Sequence, residues 1–141
     1  MKRILVGVDG SPESRAAAHK AAELSGALGA QLLIAYVIAP FPPISPSEFG
    51  AVVQDWDAAE RNYAASLLRE IEATCRREVE AVQTTTAVGT AAEALAELAR
   101  ASDVEMVVVG HRGRGAVKRL LLGSVADRLV QISPKPVLVV R

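Results

Sequence analysis

The residues of this chain best suited to chemistry lie near its C-terminal end. There Met106-Val107-Val108-Val109 runs into Gly110-His111-Arg112-Gly113 and, after nine further residues, into Gly123-Ser124-Val125. A short Val-rich run of this kind is a buried parallel strand, and Gly110 marks where the backbone turns out of the sheet. Lacking a Cβ, Gly113 lets backbone N–H groups approach an anion closely. Gly123-Ser124 opens a helical pattern whose unpaired N–H groups and positive dipole end favour phosphate, and Ser124 adds a hydroxyl donor. Arg112, Arg114, Lys118 and Arg119 surround the loop, either to meet phosphate charge or as a solvated basic surface. The chemistry implied is phosphate binding.

Two general phosphate motifs are excluded. A P-loop needs Lys and then Ser or Thr directly after its last Gly, whereas Gly115 is followed by Ala116 and the nearest lysine is Lys118. The dinucleotide fingerprint G-x-G-x-x-G fails because Lys118 stands where its third glycine belongs. Catalytic signatures are equally lacking: there is no G-x-S-x-G elbow, no HExxH, no Cys–His pair at a recognisable spacing and no evident base to aim water at a γ-phosphate. The expectation is a binding protein rather than an enzyme. His111 has no Cys, second His or carboxylate at ligand spacing and reads as an exposed loop residue. Cys75, despite Arg76 and Arg77 beside it, falls on an apolar helical stripe and reads as core.

The elements that must position this loop follow from periodicity. Arg3–Val8 reads as a buried strand. Ser11-Pro12-Glu13 then supplies an N-cap, a first-position proline and a first-turn acid for a helix with Ala17, Ala21, Leu24 and Leu28 on one face and Gly29 at its end. Gln31–Ile38 is a second strand. Pro40, Pro42, Pro43 and Pro46 predict a loop from Ala39 to Gly50, with Phe41 and Phe49 as a lid over the ligand or as plain loop residues. Helical spacing returns from Gln54 to Arg77, where Trp56, Tyr63 and Leu67 read as core before they read as a base-stacking platform. Val79–Val88, with three consecutive threonines, predicts a half-exposed edge strand. Thr90 and Glu93 match a capping box opening a helix through Ala101. Val104–Val109 is a fourth strand, Val125, Leu129 and Ile132 line a last helix, and Val137–Val140 is a fifth strand. Strands alternating with helices predict an α/β fold with a parallel sheet covered on both faces.

The spacing Gly-x2-Gly-x9-Gly-Ser after a strand resembles the nucleotide-binding signature of the universal stress protein family. Ile4-Leu5-Val6-Gly7-Val8-Asp9-Gly10-Ser11 and Pro136-Val137-Leu138-Val139-Val140 resemble that family's first and last strands. The resemblance covers essentially the whole chain. It implies an open five-stranded Rossmann-like sheet in the order 3-2-1-4-5, with Asp9 and Gly110 at the ends of two central neighbouring strands. Loops that diverge there leave a crevice of the kind in which open α/β sheets bind ligands. The resemblance further implies an adenine nucleotide site made by Asp9, Gly10, Val37, Gly110, Arg112, Gly113, Gly123, Ser124 and Val125. In it Asp9 contacts the nucleoside and the Val37 backbone addresses adenine. By itself Asp9 reads equally well as a turn former, Gly10 reads first as turn geometry, and Val37 reads equally well as core. ATP is the implied ligand, with AMP or another adenine nucleotide as alternatives and Mg2+ or Mn2+ on the phosphates. Ala126 stands where many members carry a second hydroxyl, which removes one phosphate contact. The implied role is a homodimeric, nucleotide-dependent sensor or regulator in stress survival. The competing readings are a dimeric interaction module without nucleotide and a slow ATPase.

Composition agrees with one domain over residues 1–141: half the residues are apolar, enough for a core, and 16 basic residues balance 16 acidic ones. Zero formal charge provides no field for nucleic acid or an anionic membrane. The apolar run after Met1-Lys2-Arg3 ends at Asp9, too early for a signal peptide, and a single Cys75 cannot form an internal disulfide. A cytoplasmic location is expected. In the implied strand order Val137–Val140 forms a sheet edge, so four apolar residues there predict pairing with a second copy across a two-fold axis.

Overall fold

The computed structural model describes residues 1–40, 46–112 and 122–141, with the side chains of 46–49 and 51 left aside. Its elements are β1 (Arg3–Val8), α1 (Pro12–Leu28), β2 (Gln31–Ile38), α2 (Pro46–Cys75), β3 (Val82–Val88), α3 (Ala91–Leu98), β4 (Val104–Gly110), α4 (Ser124–Ile132) and β5 (Val137–Val140). The five strands form one sheet in the order β3-β2-β1-β4-β5, and every pairing is parallel. The expected fold class and strand order are therefore those observed.

The alternation of side chains along each strand builds two cores. Ile4, Val6 and Val8 of β1 face one side, together with Val108, Ala17 and Ala21 of α1, and Leu67, Leu68, Ile71 and Cys75 of α2. Leu5, Val107 and Val109 face the other, against Leu95 of α3 and Ala126 and Leu129 of α4. Helix α1 packs on the sheet through small side chains, with Ala17, Ala18, Ala21 and Ala22 only 0–1% exposed. It begins as expected: the Ser14 amide donates to Ser11 Oγ at 3.1 Å, with Pro12 in the first turn, and it ends at Gly29 with φ +66°. Loss of such a cap costs about 1 kcal/mol. Its last apolar position departs from the pattern, since Leu28 is 67% exposed.

Three other boundaries differ from the sequence reading. Helix α2 starts at Pro46, inside the stretch expected to be a loop, and Gly50 is helical. The physical reason is that proline breaks a helix only from its interior. At the first position its missing N–H has no partner to lose. Strand β3 starts at Val82 rather than Val79. Helix α3 ends at Leu98 rather than Ala101, and Thr90 caps it without a side-chain hydrogen bond. The reciprocal capping box is not made there. Glu93 instead accepts from Arg128 Nε of α4 at 3.0 Å, and that bond holds its carboxyl below the usual range. Among the described residues no helix is long and apolar enough to cross a membrane.

Candidate functional site

In the order β3-β2-β1-β4-β5 the chain leaves β1 towards one edge of the sheet and β4 towards the other. Their carboxyl ends therefore flank the topological switch point. Asp9-Gly10-Ser11 leaves β1 there, and Gly110-His111-Arg112 leaves β4 there.

The β1 side is tightly bonded. Asp9 Oδ1 accepts from the Ser11 amide at 2.9 Å, the Asp9 amide donates to Ser14 Oγ at 3.2 Å, and Ser14 Oγ donates to the Ser11 carbonyl at 3.0 Å. Asp9 thus makes the turn that its sequence context allows, in addition to standing at the crevice. Gly10 has φ +89°, and a Cβ there would strike the Tyr63 hydroxyl, so both backbone and space demand glycine. Tyr63 was expected in the core. It is 40% exposed, its hydroxyl rests on Gly10, and its ring meets Tyr36 edge-on with centroids 5.9 Å apart. Tyr36 in turn donates to Glu60 Oε2 at 3.1 Å. Nothing in helical spacing distinguishes a tyrosine at the margin of a core from one inside it. Val37, the next residue along β2, is half-buried against the α3/α4 core, so its side chain is a packing group.

The β4 side is built by backbone contacts. The His111 amide donates to the Val140 carbonyl at 2.6 Å, and the His111 carbonyl accepts from the Gly123 amide at 2.8 Å. One half-buried residue therefore clasps the end of β5 and the start of α4 to the exit of β4, a role no motif predicts. Gly110 is required by close approach: a Cβ would lie 2.8 Å from the Glu13 carbonyl carbon of α1. Gly123 is the α4 N-cap, in extended conformation and with no side-chain hydrogen bond to the helix. A Cβ on it would meet Arg112 Cα at 3.0 Å and the His111 carbonyl oxygen at 3.1 Å. Ser124 is exposed on the first turn, while Val125 and Ala126 turn towards the α3/α4 core. Asp127, the acid of that turn, accepts from Gln131 at 3.3 Å. Arg112 carries a guanidinium whose Nη2 is 3.7 Å from Glu13 Oε1, and its buried Nε has no hydrogen-bond partner among the described residues.

Gly113, Arg114, Lys118 and Arg119, the remainder of the expected phosphate loop, lie outside the described residues, as do Phe41 and the side chain of Phe49. Among the described residues no three His, Cys, Asp or Glu side chains come together as a metal-holding group. Cys75 is buried as expected, its Sγ 3.7 Å from the Ala18 carbonyl, and burial pushes its pKa up to about 11.

A doubly wound parallel sheet in this order, with the chain leaving its two central strands towards opposite edges, defines a Rossmann-like α/β protein. The family model for the universal stress protein family matches residues 1–141, and the chain belongs to that family. A universal stress protein of Thermus aquaticus is 32% identical over 142 residues, covering 99% of this chain and 98% of that protein. One of Mycolicibacterium smegmatis is 33% identical over 138 residues, 97% of this chain but 47% of that protein, so the chain spans about half of that longer relative. Among solved structures, a universal stress protein from Lactobacillus plantarum superposes with a TM-score of 0.92 at 23% identity, over 99% of this chain and 97% of that one. Another, crystallised in complex with cAMP, superposes with a TM-score of 0.71 at 27% identity, over 99% of this chain and 96% of that one.

Proposed function

We propose that the chain binds an adenine nucleotide in the switch-point crevice, ATP foremost, and acts as a nucleotide-dependent sensor or regulator rather than as an enzyme. The observation that carries this reading is the start of α4. Gly123, the N-cap, has no side chain to accept from the first-turn N–H groups, and Ser124 and Arg112 stand beside it. That arrangement fits an anion, whose charge the helix dipole and guanidinium favour. Kinship with a protein crystallised with cAMP supports an adenine compound as its bearer. In this reading the phosphates lie over Gly110, Gly113 and the α4 N-terminus, Asp9 and Gly10 face the nucleoside, and the Val37 backbone addresses the base. A divalent ion on ATP would be held by the phosphates and water, since the described protein groups form no ligand set of their own.

Family membership supports a role in stress survival, and the apolar edge strand Val137–Val140 supports pairing of two copies across a two-fold axis. A cytoplasmic location belongs to the same reading. Native mass spectrometry of freshly purified protein, followed by calorimetry with ATP, AMP, cAMP and adenosine, tests it. The expected result is a bound nucleotide mass and an Asp9→Ala variant that loses similar free energy for ATP and adenosine. Absence of binding for every adenine compound would overturn the reading in favour of a pure interaction module. Accumulation of ADP would overturn the assignment as a binder without turnover.

A further inference from the structure

We infer that Glu13 sets the preference of this site among adenine nucleotides by charge, because it is an internal anion that competes with phosphate for Arg112. The inference rests on the nucleotide-binding reading above and concerns which members of that ligand class are held best.

Three observations place Glu13 at the phosphate end of the crevice. Its backbone and Cβ lie against the last residue of β4, where a Cβ on Gly110 would come within 2.8–3.0 Å of them. Its side chain is only 27% exposed and its carboxylate lies 3.7 Å from Arg112 Nη2, a pairing beyond hydrogen-bond length. Arg112 in turn keeps its buried Nε without a hydrogen-bond partner among the described residues. The guanidinium is therefore held near one carboxylate without being satisfied by it. A guanidinium prefers a two-pronged partner with short, charge-assisted bonds, and a phosphate group supplies one. When phosphate takes Arg112, the Glu13 carboxylate loses its cation and remains beside the new anion. The resulting repulsion grows with ligand charge: nil for adenosine, moderate for AMP, and largest for ATP without metal. Mg2+ lowers the net charge of ATP and so relieves part of it.

A first-turn acid also favours the dipole of α1, so a purely structural role must be separable. Such a role would move the melting temperature and leave the order of ligand affinities alone. The test is titration calorimetry of the parent, Glu13→Gln, Arg112→Gln and the double variant with adenosine, AMP and ATP, each in EDTA and in Mg2+, with thermal melts in parallel. Glu13→Gln should tighten metal-free ATP about fivefold, the scale of one partly exposed ion pair, with a smaller gain for AMP and none for adenosine. Glu13→Ala should reproduce that order should the glutamine find a new hydrogen bond. In the Arg112→Gln background the share of the gain that comes from competition for Arg112 should be lost, while the share from direct repulsion, still ordered by ligand charge, should remain. Equal effects on all three ligands, or no effect while the parent binds them, would overturn the inference and leave the nucleotide reading intact. Weaker ATP binding confined to Mg2+ would overturn it by making Glu13 a metal ligand. Failure of both parent and variants to bind any adenine compound would overturn both readings together.

Discussion

Helices α1 and α4 both begin at the switch point, one after each central strand, and they solve the same problem in opposite ways. The start of α1 is closed on itself. Ser11 Oγ takes the Ser14 amide, Asp9 Oδ1 takes the Ser11 amide, and Ser14 Oγ takes the Asp9 amide. The start of α4 has no such acceptor on its N-cap, because that residue is Gly123. Four N–H groups at the start of any α-helix lack intrahelical partners, so a helix either supplies caps from its own side chains or leaves them for water or ligand. The contrast teaches that stability and binding are divided between two neighbouring turns of similar position. Substitutions in the closed cap and turn of α1, at Ser11 and Gly10, should report mainly on folding, and those at the start of α4 mainly on nucleotide.

The largest expected effect is on the closed side. Gly10→Ala forces a Cβ into a φ of +89° and against the Tyr63 hydroxyl. Chemical denaturation should show a loss of about 1–3 kcal/mol, the scale of a strained left-handed residue. If the variant is as stable as the parent, Tyr63 moves freely and the turn is not closed. Next, Gly123→Asp would copy the α1 solution onto α4 by supplying a cap and a negative charge. ATP binding should weaken at least about tenfold, or roughly 1.4 kcal/mol, while in the melting temperature the gained cap offsets part of the crowding of the new Cβ against Arg112 Cα and the His111 carbonyl. An unchanged affinity by calorimetry would break the comparison outright. Ser11→Ala removes the closed cap and should cost about 1 kcal/mol in a denaturant titration while ATP affinity stays within about twofold. The smallest effect concerns Cys75, which packs against Ala18 of α1 with its pKa raised to about 11 by burial. At pH 8 the native thiol should stay protonated and react slowly with a thiol reagent, with and without ATP. Unfolding restores an ordinary pKa near 9, so between about pH 9 and 11 the unfolded state loses a proton that the native state keeps, and stability falls as pH rises through that window. A thiol exposed by ATP would mean that α1 moves after all.

How much of this was legible in the sequence depends on the range of the interaction. Alternating apolar runs, the Ser11-Pro12-Glu13 start and Gly29 stop of α1, and the glycine cap of α4 are local, and the structure repeats them. Strand order came from resemblance, because no local feature of β1 says that β4 lies beside it. The proline-rich stretch departs from expectation from Pro46 to Gly50, where a first-position proline begins α2, and residues 41–45 of it lie outside the described residues. Partnerships between distant elements left no trace in spacing: Glu93 with Arg128, Tyr63 with Gly10, Glu13 with Gly110 and Arg112. Gly110 and Gly123 were identified as bare surfaces for phosphate. Both also admit protein backbone, and a sequence cannot say which neighbour a missing Cβ makes room for.

The alanine face of α1 has a mechanical consequence. Ala17, Ala18, Ala21 and Ala22 have no rotatable side-chain bonds, so the seam between this helix and the sheet cannot absorb a displacement by changing rotamers, as a seam of leucines or methionines would. The rod runs from the first turn, where Glu13 abuts Gly110, to its far end at Gly29, about 25 Å away for 17 residues. Both ends of α1, at Glu13 and at Gly29, are therefore seated on the sheet through one face without rotamers of its own.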